Sequence, residues 1–367
     1  MAAARKVFMT GYPGFIARWL SEEMLRRKPG TGFTFLVQDK FAGQARRELE
    51  ALQAKPVAKG AKLELAVGDI TRPRLGLPEA DHARLLAETT DVFHLAAIYD
   101  LHVPEPLARQ VNVEGTRAVV EFCRAAKKLA SHVYYSTCYV AGRRTGPVLE
   151  TELEHAAGFK NHYESTKYEA ERIVRASMDR VPTIIIRPGI VVGHSQTGET
   201  QKFDGPYFGM ILVDKLKLLQ IPLPYLGPSS AEVNLIPIDY LIEGGTAIWA
   251  KPGTTGKCYA FADPHPITAR QLYAEIVRLL GARGPMFQVP PVAVDLPLRL
   301  LAVRKLLEVP GEVLDYFNHE AHYDCTNTLA ALEDTGIRCP HQLDYLPRIV
   351  AFFQANKHRP EYRWKPY

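Results

Sequence analysis

Cysteine is scarce in this chain, and what there is follows no pattern. Cys123, Cys138, Cys258, Cys325 and Cys339 form no Cys-x-x-Cys pair, and their number is odd. That argues against a disulfide framework or a zinc site and for a reducing compartment. Long hydrophobic runs are missing too. No apolar stretch approaches about 18 residues, so no membrane span is expected. The N-terminal Met1-Ala2-Ala3-Ala4-Arg5-Lys6 runs directly into Val7-Phe8-Met9, without the apolar core of a signal peptide. Charge of one sign is not in excess: 45 Lys and Arg against 40 Asp and Glu give a net +5. The charges are interspersed, which speaks against a nucleic-acid partner. Repeats and low-complexity segments are absent. What remains is a 367-residue chain, 47% hydrophobic and 23% charged, ordinary for a globular protein and expected in the cytoplasm. It is longer than the roughly 250–300 residues that one core serves, so a large domain plus a smaller lobe is expected.

Short apolar runs alternate with helical periodicity through the first half, the pattern of βαβ units and a parallel sheet. Strands are expected at Lys6–Thr10, Phe33–Val37, Lys62–Val67, Val92–Ala96, Val133–Ser136 and Thr183–Arg187, with a helix at Phe15–Arg27 ended by Pro29-Gly30 and another at Asn112–Lys128. After Pro188 the texture changes to Gly, Pro and aromatics. A strand and helix return at Val233–Ile238 and Tyr240–Trp249, then a strand at Lys257–Ala262 and a helix at Ile267–Leu280. A further helix is expected within Val289–Glu308, and the tail Arg359–Tyr367 reads as irregular. The expected fold is α/β, a doubly wound parallel sheet of Rossmann type. Residues 1–193 and about 237–263 would form the nucleotide-binding domain, with 194–236 and 264–367 as an interleaved substrate lobe.

Three stretches carry chemistry. Tyr163 and Lys167 stand four apart in Tyr163-Glu164-Ser165-Thr166-Lys167 and share a helix face. A lysine there can lower the tyrosine's pKa, so that the phenol trades a proton with a substrate oxygen. Thr10-Gly11-Tyr12-Pro13-Gly14-Phe15-Ile16-Ala17 follows a strand and opens a helix. Without side chains, Gly11 and Gly14 let backbone N–H groups approach a pyrophosphate at the positive end of the helix dipole, and Ala17 keeps helix and strand close. At the end of the second strand an acid suits the ribose of NAD and basic residues the phosphate of NADP. Gln38-Asp39-Lys40, then Arg46 and Arg47, favour NADP(H), with NAD(H) as the alternative. His94 lies among apolar strand residues and reads better as a hydrogen-bonded core histidine than as an acid or base.

Glycine-rich turn, Ser136-Thr137, Tyr163 and Lys167, in that order, resemble the extended short-chain dehydrogenase/reductase superfamily. Gly68-Asp69-Ile70-Thr71-Arg72-Pro73, Gly158–Lys167 and Asn234–Asp239 look most like its thioester-reductase or male-sterility branch, which includes fatty acyl reductases and domains that release acyl chains from carrier proteins. Leu36-Val37-Gln38 departs from the Leu-Val-Arg usual in that branch. The resemblance implies a catalytic set of Thr137, Tyr163 and Lys167; the hydroxyl falls on Ser136 or Thr137, and counting back from Gly142 selects Thr137. It implies cofactor contacts from Gly11, Tyr12, Pro13, Gly14, Phe15 and Ile16 at the turn, and from Gln38 and Lys40 after the second strand. Asp69 and Ile70 would face the adenine, Ala96 and Ala97 the cofactor backbone, and Pro188, Gly189 and Ile190 the nicotinamide, beside Tyr163 and Lys167. Asn112, in Asn112-Val113-Glu114-Gly115-Thr116, would bond backbone and order the sheet near the site, or serve as a plain helix cap.

The implied activity is NAD(P)H-dependent reduction of a carbonyl or acyl thioester of a small lipophilic substrate, free or carrier-bound, with Tyr163 as proton donor. A sugar-nucleotide epimerase or dehydratase, a hydroxysteroid-type dehydrogenase and a non-catalytic nicotinamide-binding regulator are the alternatives. Phe203–Tyr225 and a helix at Leu296–Leu307 are the expected substrate lobe, the latter with an interfacial membrane role as its alternative. No metal is expected, and an oligomer is compatible with the sequence.

Overall fold

Runs dense in β-branched and aromatic residues build the centre of the molecule. The computed structural model describes residues 5–100, 103–217, 223–226, 230–284, 287–289 and 319–363. Its main sheet has seven strands: β1 (Lys6–Thr10), β2 (Gly32–Val37), β3 (Leu63–Val67), β4 (Asp91–His94), β5 (Ser131–Tyr135), β6 (Thr183–Pro188) and β7 (Lys257–Phe261). All pairings are parallel, in the order β3-β2-β1-β4-β5-β6-β7. Side chains alternate between the two faces: Val7 and Met9 enter one buried cluster and Phe8 another. Helices α1 (Phe15–Arg27), α2 (Ala42–Gln53), α3 (Glu79–Glu88), α4 (Gly115–Ala125) and α5 (His162–Arg175) follow the first strands. Leu20 of α1 and Leu49 of α2 cover one face, while Leu85 of α3, Val119 of α4 and Val174 of α5 cover the other. A doubly wound sheet binds ligands where its strand order reverses. In this protein that point lies between β1 and β4.

A second buried cluster joins three helices, α6 (Tyr207–Lys217), α8 (Ala269–Leu279) and α9 (Gln342–Asn356), while α7 (Ile238–Ala250) belongs to the sheet. Thr268 and Gln271 start α8 with a reciprocal capping box. Short parallel pairs link the rest, Ile190–Val192 with Leu235–Pro237 and Gly146–Val148 with Ala321–Tyr323. The helix Thr326–Leu332 sends Leu332 into the sheet's core. Its first turn is held by Glu150, whose buried carboxylate accepts from the N–H groups of Ala260, Asn327 and Thr328.

The structure departs from the sequence reading in places. β4 stops at His94, two residues before the expected Ala96, because the Ala96 N–H turns to the Thr10 hydroxyl. The helix expected from Asn112 to Lys128 begins instead as a π-turn, Arg109–Glu114, and ends at Ala125. The tail, read as irregular, forms a 3₁₀ turn at Pro360–Tyr362 and a bridge from Arg363 to Phe203. The helix expected at Leu296–Leu307 lies outside the described residues.

Candidate active site

The glycine-rich turn sits where β1 meets β4. Gly11 has φ +90°, a region only glycine enters readily, and a Cβ there would come 2.8 Å from the Ala96 nitrogen. A Cβ on Gly14 would come 2.7 Å from the Gly11 carbonyl, whose oxygen accepts from the Gly14 N–H at 2.8 Å. No side chain caps α1, so its first N–H groups face the crevice. Tyr12 is buried and stacks on Phe35, with centroids 4.2 Å apart. Pro13 is buried beside it; Phe15 and Ile16 are half-buried. A cradle closed to side chains, at a helix N-terminus and a topological switch point, fits a dinucleotide.

At the far end of the crevice the polar groups are tied to one another. The Gln38 amide donates to Asp69 at 3.0 Å, and the other Asp69 oxygen accepts from the Thr71 N–H and hydroxyl. Lys40 is exposed, 5.0 Å from the Phe41 ring centroid, and Arg46 and Arg47 are exposed on α2. Ile70 is buried against Gly115, where a Cβ would come 2.5 Å from its Cδ1. That contact explains the glycine in the Asn-x-x-Gly-Thr run.

Between these ends runs a chain of buried hydrogen bonds. The Thr116 hydroxyl donates to the Asn112 carbonyl at 2.7 Å, so it accepts from His94 Nε2 at 3.0 Å. His94 Nδ1 then accepts from Thr10 at 2.8 Å, and Thr10 accepts from the Ala96 N–H. The tautomer is assigned from these partners. Burial, with Lys167 nearby, drives the imidazole pKa well below its usual value. His94 is thus a neutral core histidine, as its neighbours in sequence indicated. Asn112 accepts from the Ile98 N–H at 2.8 Å and donates to Thr166 at 3.0 Å, tying the loop after β4 to α5. Ala96 and Ala97 are half-buried in that loop.

Asn161 caps α5 by accepting from the Glu164 N–H at 3.0 Å, which sets Tyr163 in the first turn. Thr137 lies close enough to Tyr163 to influence its phenol, whereas Ser136 donates to Glu171 at 2.6 Å. Thr137 also reaches the Pro188 carbonyl at 3.4 Å. Gly189 follows, where a Cβ would come 2.8 Å from the Asn234 carbonyl, and Ile190 donates its N–H to that same carbonyl. Lys167 is buried, donating to the Tyr134 hydroxyl at 2.8 Å and the Tyr135 carbonyl at 2.7 Å. Its pKa is pushed down to about 7 by burial, against the opposing pull of Glu171.

One expectation needs correcting. Lys167 was expected to lower the Tyr163 pKa, yet burial, only partly offset by Thr137, raises it. Desolvation disfavours the phenolate more than an ammonium turned towards Tyr134 stabilises it. Tyr163 therefore holds its proton, the state of a proton donor.

Several groups at the site were invisible in the sequence. Glu171 is fully buried, bonded to Arg187 at 2.6 Å, Arg175 at 2.8 Å and Ser136. Burial raises its pKa, but Arg187 and Arg175 bring it below the usual range. Tyr99, exposed after β4, stands edge-to-face with Tyr163, with centroids 5.0 Å apart, and the Lys202 ammonium lies 5.4 Å from its ring centroid. Phe203 and Tyr207, from the segment expected to belong to the substrate lobe, are buried among Phe352, Phe353 and Tyr362.

Residues 9–244 match the family described as male sterility protein. The chain belongs to that family. It is a branch of the extended short-chain dehydrogenases/reductases, which are NAD(P)-dependent oxidoreductases, and this member carries their Rossmann fold. Among curated proteins it is 28% identical to a non-canonical nonribosomal peptide synthetase from a Cladobotryum species, over 95% of this chain and 36% of that protein. The chain spans about half or less of the length of the first curated relatives it matches. The terminal R domain of the myxalamid polyketide–nonribosomal peptide pathway superposes with a TM-score of 0.81 at 24% identity, over 100% of this chain and 94% of that one. UDP-glucuronic acid 4-epimerase from Bacillus cereus, in complex with NAD, superposes with a TM-score of 0.65 at 18% identity, over 95% and 99%. Both likenesses show the fold. Among the described residues no helix is long and apolar enough to cross a membrane.

Proposed function

We propose that the protein reduces a carbonyl, in first place the thioester of an acyl or other lipophilic group carried on a partner, with NADPH preferred over NADH. The carrying observation is the buried trio at the C-terminal edge of the sheet: Thr137 near Tyr163, and Lys167 four residues on in the same helix. Gly11, Gly14 and the start of α1 would hold the pyrophosphate, with Tyr12, Pro13, Phe15 and Ile16 shaping the turn. Asp69 and Ile70 would flank the adenine, and Gln38 and Lys40 the ribose or its phosphate. Ala96, Ala97, Asn112, Pro188, Gly189 and Ile190 would frame the nicotinamide side. The nicotinamide, when bound, supplies the hydride.

The chain's own residues do the rest. Thr137 and Tyr163 would both donate to the substrate oxygen. As charge develops on that oxygen, Tyr163 gives up its proton. Lys167 as an ammonium favours the phenolate left behind. From a thioester the first product is a hemithioacetal, which collapses to aldehyde and thiol. Residues 1–193 with about 237–263 form the nucleotide-binding part in this reading, and 194–236 with 264–367 the substrate side.

The test is a screen of the purified protein against acyl thioesters, aldehydes, ketosteroids and sugar nucleotides, following NADPH and NADH consumption. Consumption with a long-chain acyl thioester is expected. No consumption with any substrate, together with co-purified NAD and interconversion of sugar nucleotides, would replace the reductase with an epimerase.

A further inference from the structure

The ring of Tyr134 fills a buried cluster with Val120, Ala170, Val174 and Ile185, a task phenylalanine would perform equally well. Its hydroxyl adds something different. Tyr134 is 0% exposed, and its oxygen accepts from Lys167 Nζ at 2.8 Å while the ammonium also sits 4.3 Å from the ring centroid. Thr116 and Ser136 spend their protons elsewhere, Thr116 on the Asn112 carbonyl and Ser136 on Glu171. The His94 ring packs beside that of Tyr134, with centroids 5.6 Å apart, and is itself fixed by Thr116 and by Thr10 at the foot of the glycine-rich turn.

We propose that Tyr134 is a positioning residue for Lys167, its hydroxyl holding the ammonium at the site. The proposal rests on the reductase reading of Lys167 and deepens it. Tyr134 touches neither substrate nor the reacting atoms; it acts through the lysine. The charged and titratable groups facing Lys167 are Glu171 and Tyr163 on its own helix, Tyr134 on β5 and His94 on β4. Arg187 on β6 acts through Glu171. Removing the Tyr134 oxygen deletes an acceptor that favours the ammonium, so Lys167 should lose its proton at lower pH.

Tyr134→Phe keeps the ring and removes the oxygen. Two readouts follow: NADPH affinity by direct titration, and the pH dependence of kcat/KM. A hydrogen bond to a charged group supports an affinity loss of about 10- to 100-fold, with the alkaline limb of the profile moved to lower pH. A folded Tyr134→Phe protein with unchanged affinity and an unmoved limb overturns the proposal. If that variant does not fold, Tyr134→Met, which fills the cluster with a flexible apolar side chain and also lacks the oxygen, is read in the same two assays with the same outcomes. Tyr163→Phe, run alongside, separates the failures. Loss of turnover there with an unaffected Tyr134→Phe rejects only the role of Tyr134, whereas retained turnover rejects the reductase reading itself.

Discussion

Glu171→Ala is the perturbation in which stability and chemistry meet. The carboxylate is fully buried and bonds Arg187, which is itself 2% exposed, at 2.6 Å. Removing it leaves a buried guanidinium with, among the described residues, the carbonyls of Leu149 and Glu152 as its remaining hydrogen-bond partners. Breaking one side of a buried pair costs about 3–5 kcal/mol, a large part of the roughly 5–15 kcal/mol that holds a domain folded. At roughly 2–4 °C per kcal/mol for a domain of 150–250 residues, the melting temperature should fall by roughly 6–20 °C. Scanning calorimetry reads this directly. The pair can be replaced more safely than broken, so Glu171→Met with Arg187→Met should recover much of the loss. Acid should mimic the single change. The folded carboxyl lies below its unfolded value, so its contribution is present above the ordinary carboxylate range and is lost as pH falls through the folded pKa. A melting temperature unchanged in Glu171→Ala would refute this reasoning.

Three further outcomes follow from the same geometry. Gly11→Ala, which forces a Cβ to 2.8 Å from the Ala96 nitrogen at φ +90°, should abolish nucleotide binding with the sheet intact, as read by titration and circular dichroism. Free-enzyme kcat/KM for reduction should fall as pH rises through about 7, where Lys167 loses its proton; a flat profile to well above that would contradict the buried ammonium. Lys40→Ala should weaken NADPH more than NADH, whereas tighter NADH binding unaffected by the change would point to Asp39 or Gln38 on the ribose.

The legible parts of this protein were those set by neighbours in sequence. β1 and α1 carry the bounds that the apolar pattern and Gly14 implied, and the switch point follows once the strands are ordered. Counting back from Gly142 selected Thr137 over Ser136, and the structure sends Ser136 to Glu171. What sequence hid is contact across distance. Nothing local announces that Arg187 meets a glutamate 16 residues earlier or that Tyr134 receives Lys167. Burial also reversed the direction anticipated for Tyr163, because spacing shows who is near but not how much water is excluded. The helix α9 went unread since Pro347, which ordinarily breaks a helix, lies inside it. Packing of Tyr345, Ile349 and Phe353 into the second core outweighs that loss.

The central claim is that the Tyr163 phenol delivers the proton in an NAD(P)H-dependent reduction. Tyr163→Phe with saturating substrate and cofactor measures it most directly, with nucleotide affinity titrated on the same sample. The account predicts a fall in kcat on the order of 10²–10⁴, with nucleotide affinity nearly unchanged, since Gly11, Gly14 and Lys167 remain in place. A near-wild-type kcat in that variant would contradict it.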